Sequence, residues 1–126
     1  MGGYRIMDKS TVIQLAQVLF DRKGQDIAVL NVSHLTVLCD CMVIASGRNP
    51  IHVSALSDAA QEFMSEKGII LRRCEGLRDG RWAVLDYGHI IIHIFHRDER
   101  SFYSLDRLWN DGTNAIELPF DQTSEA

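Results

Sequence analysis

Little in this chain of 126 residues could act as a covalent or metallic staple. Its cysteines number only three, and Cys39 and Cys41 form a C-x-C pair rather than the C-x-x-C of a redox motif. Three thiolates and a histidine could hold zinc, but small, reduced residues buried on strands fit this usage better. No apolar run approaches the roughly 20 residues that a membrane span needs, so no membrane contact is expected. The opening "MGGYRIMDKS" lacks the apolar stretch of a secretory signal and the Ser or Thr of a myristoylation pattern. Residues 1–9 are therefore read as a disordered lead-in, and a cytoplasmic location is expected. Positive charge is also scarce: 13 Lys and Arg stand against 17 Asp and Glu, a formal net charge of −4. A nucleic-acid binder neutralises phosphates with clustered cations. Here Arg72, Arg73, Arg78 and Arg81 are interrupted by Glu75 and Asp79, so little direct nucleic-acid contact is expected.

What remains is an ordinary globular composition at a length that buries one core without staples. "STVIQLAQVLFDRKG" reads as a helix, with Val12, Leu15, Ala16, Leu19 and Phe20 near helical spacing, Ser10 as N-cap and Gly24 as stop. "DIAVLNV" and "CDCMVIASG" read as strands. "RNPIHVSALSDAAQEFMSEKG" is the second helix, capped by Asn49, begun by Pro50, ended by Gly68 and buried along Val53, Leu56, Ala60, Phe63 and Met64. "IILRRCEG", "RWAVLDY" and "HIIIHIF" are strands, the last two joined by a turn at Tyr87-Gly88. "DERSFYSLDRLW" is a final helix whose Phe102, Leu105, Leu108 and Trp109 face the sheet. In the tail, residues 110–126, Ile116, Leu118 and Phe120 are the groups able to pack back, and the last residues are expected to be disordered. The order α-β-β-α-β-β-β-α predicts an α/β layer protein with a mixed five-stranded sheet.

The stretch "WAVLDYGHIIIHIFH" concentrates candidate chemistry. On a regular strand His89 and His93 share a face and His96 opposes them. With Asp86 they suggest a two-histidine, one-carboxylate triad. Yet an i, i+4 pair on a strand is separated by about 13 Å along its axis, against ligand distances near ~2 Å, so no metal is expected. His89 then reads as a turn residue and His93 as a hydrogen-bonded strand residue. Ser46-Gly47 before a helix raises a phosphate or acyl pocket, but the glycines and lysine of a phosphate loop and any G-x-S-x-G are absent. Asp40 and Asp86 could pair only if their strands were neighbours. No catalytic constellation and no cofactor is expected.

The segments "KGQDIAVLNV", "CDCMVIASG", "HVSALSDAA", "EGLRDGRWAVLDYGHIIIHIFH" and "RSFYSLDRLW", in this order and spacing, resemble the ribosomal silencing factor family, the Iojap-like proteins. The likeness runs from about Ser10 to Trp109, which makes residues 10–109 the domain. It implies α/β/α layers related to nucleotidyltransferases but lacking their catalytic acids. Here Ala45-Ser46-Gly47 leads to Arg48, Asn49 and Pro50, with no Asp-x-Asp pair following. The resemblance implies a protein that is not an enzyme, binds the large ribosomal subunit through ribosomal protein uL-fourteen, blocks joining of the subunits and represses translation. It also implies a homodimer when free. Carried over by position, the partner-binding residues are Trp82, Leu85, Asp86, Tyr87 and His89. Strict alternation sets Trp82 and Tyr87 on opposite faces, so both reach one partner only if the turn rotates Tyr87.

Overall fold

The computed structural model describes residues 8–99 and 108–122. Two helices and five strands follow one another as α1 (Lys9–Asp21), β1 (Gln25–Asn31), β2 (Cys41–Gly47), α2 (Pro50–Glu66), β3 (Arg73–Glu75), β4 (Trp82–Asp86) and β5 (Ile90–His96). Helix α1 begins earlier than Ser10 because Asp8 caps it. The Asp8 carboxylate accepts from the Ser10 N–H and the Thr11 hydroxyl, each at 3.0 Å, which satisfies otherwise orphaned donors of the first turn. Helix α2 begins as the sequence predicts, with Asn49 accepting from His52 N at 2.8 Å and Pro50 in the first turn. The buried His52 ring then accepts from Arg48 N at 2.9 Å and lies 2.9 Å from the Arg22 carbonyl, joining the start of α2 to the end of α1. These bonds occupy two backbone donors of this turn, those of Arg48 and His52.

The strands form one mixed sheet in the order β1-β2-β5-β4-β3, parallel between β2 and β5 and antiparallel elsewhere. Every residue of β2 is buried, the pattern of a strand covered on both faces. Strand β3 is shorter than expected. The preceding segment, residues 69–72, reads as strand because it is apolar, but it lies outside the ladder and only Arg72 N reaches back, to the Asp86 carbonyl at 2.8 Å. Helices α1 and α2 cover one face, where Val12, Leu15, Leu19, Val53, Leu56 and Met64 meet Val43, Leu85 and Ile92. The second face carries its own cluster of Leu30, Val32, Cys39, Met42, Ile44 and Phe95, edged by half-buried Trp82, Ile91 and Trp109.

The expected final helix falls largely on residues outside those described; residues 97–99 and 108–109 are helical. Leu108 does not face the sheet: it is exposed, whereas Trp109 packs onto the second-face cluster. Beyond it the tail follows the outer edge of β1. Asn31 N donates to the Asn114 carbonyl at 2.9 Å and Ile116 N to the Val29 carbonyl at 2.8 Å. The Gln122 amide spans both backbone groups of Ile27, accepting at 2.7 Å and donating at 2.9 Å. Phe120 stacks on Phe20 with ring centres 4.2 Å apart. Ile116, Leu118 and Phe120 thus pack against the core, and the edge of β1 is clasped along most of its length.

Candidate functional site

Strands β4 and β5 form a hairpin whose turn is fixed locally: Gly88 N donates to Asp86 Oδ1 at 2.8 Å and Tyr87 N to the Ile90 carbonyl at 2.9 Å. That turn sets the register. Trp82 stands opposite Phe95, Val84 opposite His93 and Asp86 opposite Ile91. Because side chains alternate along a strand, these six share the sheet's second face, flanked across β5 by Met42 and Ile44. The Trp82 indole lies over the Phe95 ring, centres 5.0 Å apart and planes 23° apart, and its Nε1–H donates to His93 Nδ1 at 3.1 Å.

An indole N–H can only donate, so Nδ1 is the acceptor and the ring proton of neutral His93 sits on Nε2. That Nε2 is buried and has no hydrogen-bond partner among the described residues. Burial pushes the His93 pKa down from 6.5 to about 4, since an imidazolium here would be desolvated with no counter-charge beside it among the described residues. The sign of the consequence is fixed. Between roughly pH 6.5 and 4 the unfolded chain takes up a proton that the folded one refuses, so stability is full above that window and falls as pH drops through it. The loss amounts to about 3 kcal/mol. In urea titrations across these pH values, His93→Phe is expected to show a flatter acid limb than the natural chain; parallel limbs would refute the assignment.

The five residues expected at the site do not converge. Trp82 and Asp86 lie half-buried on the second face. Leu85 is 0% exposed and Tyr87 6%, both within the cluster beneath the helices. Alternation carries them to the side opposite Trp82, and the turn does not rotate Tyr87 out, so the structure does not bring these two onto the Trp82 face. Tyr87 instead lines a cavity of about 350 Å³ with Gln61, Ser65, Gly68, Ile69, Ile70 and Leu71. His89 sits in the turn at the end of the sheet, exposed, with Nδ1 3.3 Å from Asp40. Asp40 therefore pairs with His89, while β5 separates its strand from that of Asp86. Residues missed from sequence are His93, Phe95, Val84 and Ile91. Counting outward from the Gly88 turn brings all four to the Trp82 face.

Among the described residues, neither electrostatics nor spacing picks out a reacting group. The Cys41 thiol is pushed up to about 12, chiefly by burial, and burial also raises Cys39 and Cys74; none is a ready thiolate. Among the described residues no three His, Cys, Asp or Glu side chains come together as metal ligands, and no helix is long and apolar enough to cross a membrane. What the face offers is area: a half-buried indole on an aromatic base, framed by Val84 and Ile91. Beyond β1, Val37 and Leu38 are exposed to 100% and 76% on the loop whose Val32 and Cys39 belong to the same second-face cluster.

Comparison with known proteins fits this architecture. The family profile described as ribosomal silencing factor during starvation matches residues 7–126. The ribosomal silencing factor RsfS of Halalkalibacterium halodurans is 32% identical over 106 residues, covering 83% of this chain and 91% of that protein. The chloroplastic protein Iojap of Zea mays is 30% identical over 112 residues, which cover 89% of this chain and 48% of that longer protein. A crystal structure of a Bacillus halodurans protein superposes with a TM-score of 0.74 at 31% identity, over 87% of this chain and 100% of that one. One from Chromobacterium violaceum gives 0.77 at 29% identity, over 94% and 98%. A mixed five-stranded sheet with its helices, shared with solved structures at this level of identity and matched along nearly its whole length by one profile, places the chain in the ribosomal silencing factor family.

Proposed function

We propose that this chain silences ribosomes by docking the sheet face around Trp82 on protein uL-fourteen of the large subunit, where its bulk keeps the small subunit from joining. The observation that carries this reading is the Trp82 indole, half-buried on Phe95 and framed by Val84 and Ile91. Large, rigid aromatics of this kind supply most of the energy of a protein interface at little entropic cost. Asp86 and His89 form its rim, while Leu85 and Tyr87 act from behind by holding β4 against the helices. A net charge of −4 suits a basic ribosomal protein better than bare RNA phosphates. The mechanism needs neither cofactor nor catalysis. A chain of this length has a radius of gyration of about 14 Å, enough to hold two surfaces apart. Subunits that carry it are withdrawn from the joining equilibrium by mass action, and translation in the cytoplasm falls.

The test is co-sedimentation with isolated large and small subunits. The natural chain is expected to travel with the large subunit alone, and Trp82→Ala to bind at least about 30-fold more weakly, the loss of roughly 2 kcal/mol typical of an aromatic anchor. Wild-type sedimentation of Trp82→Ala, or association of the natural chain with neither subunit, overturns the reading. The same face is proposed to close on a second copy when the protein is free, so that dimer and ribosome compete. A Trp82→Ala protein that loses the ribosome yet keeps its dimer would separate the two surfaces and end that competition model.

A further inference from the structure

We infer that His93 is a positioning residue, retained to aim the Trp82 indole; this inference rests on Trp82 being the anchor proposed above. As a core residue the imidazole is a poor choice. It lies 7% exposed between Ile44 and Val84, and its Nε2–H finds no acceptor among the described residues. An unpaired buried donor costs roughly 1–3 kcal/mol, a penalty that leucine or phenylalanine would avoid. What the imidazole provides and those residues cannot is Nδ1, at 3.1 Å from the indole nitrogen.

Two contacts among the described residues act on the indole in complementary ways. Stacking on Phe95 at 5.0 Å fixes the plane of the ring, and the bond to His93 fixes its direction within that plane. Stacking on Phe95 does not itself choose where the N–H points, whereas the bond to His93 does, so the partner meets an indole whose polar edge is already directed. A side chain ordered before binding avoids the entropic cost of being ordered by it. Neutral imidazole is the form that can accept, and burial keeps His93 neutral throughout the physiological range. The unsatisfied Nε2–H is the stability given up for this alignment.

The test uses full-length protein with His93→Leu, His93→Gln, Trp82→Phe and the His93→Leu, Trp82→Phe double variant. In nitrogen–proton NMR spectra the Trp82 indole N–H, assigned by its absence in Trp82→Phe, is expected to exchange slowly with solvent in the natural chain. It should exchange rapidly in His93→Leu and recover in His93→Gln, whose amide oxygen can accept. Large-subunit affinity should fall about tenfold in His93→Leu, the scale of one such hydrogen bond, with no lowering of Tm, and be restored in His93→Gln. In the Trp82→Phe background, which has no N–H to aim, His93→Leu should cost nothing further. An indole resonance indifferent to His93→Leu overturns the inference whatever the ribosome does. A loss of affinity that persists undiminished in the Trp82→Phe background also overturns it, and marks His93 as merely structural. If instead Trp82→Ala binds normally while the indole resonance behaves as expected, the docking reading fails and the alignment stands.

Discussion

Gly76→Ala is expected to destabilise the protein by about 3–5 kcal/mol, the sum of backbone strain and forced repacking. Gly76 holds φ at +87°, and a Cβ built there would run into the Trp82 carbonyl oxygen and then the Trp82 carbonyl carbon at 3.0 Å. Neither atom belongs to a flexible side chain. Relief requires moving the first residue of β4, which displaces the indole from Phe95. Gly68 supplies the control. Its φ is similarly positive at +78°, but nothing lies within 4 Å of the added Cβ, so Gly68→Ala meets only the left-handed backbone penalty of roughly 1–2 kcal/mol. Urea midpoints of the two variants measure the difference. Equal losses would show that the loop before β4 yields freely and that close packing at Gly76 is unimportant.

Phe95→Ala is expected to cost about 3–5 kcal/mol as well, by a different route and with a different functional mark. Phe95 is among the largest fully buried side chains, and it is also the base on which Trp82 rests. Leu85→Ala, on the other side of the same hairpin, removes an equally buried side chain and should cost roughly 2–5 kcal/mol. Both variants lower the thermal midpoint. At a temperature where each remains folded, Phe95→Ala should bind the large subunit weakly and Leu85→Ala nearly as well as the natural chain. Equal binding by both would mean that the indole needs no base; equal loss would mean that β4 as a whole, and not its second face, meets the partner.

The contrast between these two residues also shows what can be read from sequence. The hairpin, its turn and the mixed sheet are legible because alternation, a Tyr-Gly turn and an Asn-Pro helix start are local signals. Whether a residue on β4 faces a partner or a helix is not local. Leu85 and Trp82 are both apolar, and only the placement of α1 and α2 on one face decides that Leu85 is core. Tyr87 stays off the Trp82 face for the same reason: its N–H pairs with the Ile90 carbonyl, which holds it at the end of the hairpin instead of swinging it around the turn. Residues 69–72 look like strand because their apolar side chains are needed, in part to line the cavity beside Tyr87. His93 reads as an ordinary strand histidine until the cross-strand register puts it within reach of the indole. Asp8 is overlooked as a cap because Ser10 is an equally good candidate by residue type, and only geometry separates them.

The clasp on β1 carries a consequence in time. Strand β1 is made early, but the amide that seals both backbone groups of Ile27 belongs to a residue 95 positions later. At roughly 5–20 residues per second of synthesis, that edge stays open for about 5–20 s on every nascent chain. An open edge strand invites pairing with a neighbouring chain, and chains made side by side on one message are the nearest neighbours available. The polar residues Gln25 and Asp26 at the start of β1, and Asn31 at its end, stand on that edge throughout the wait.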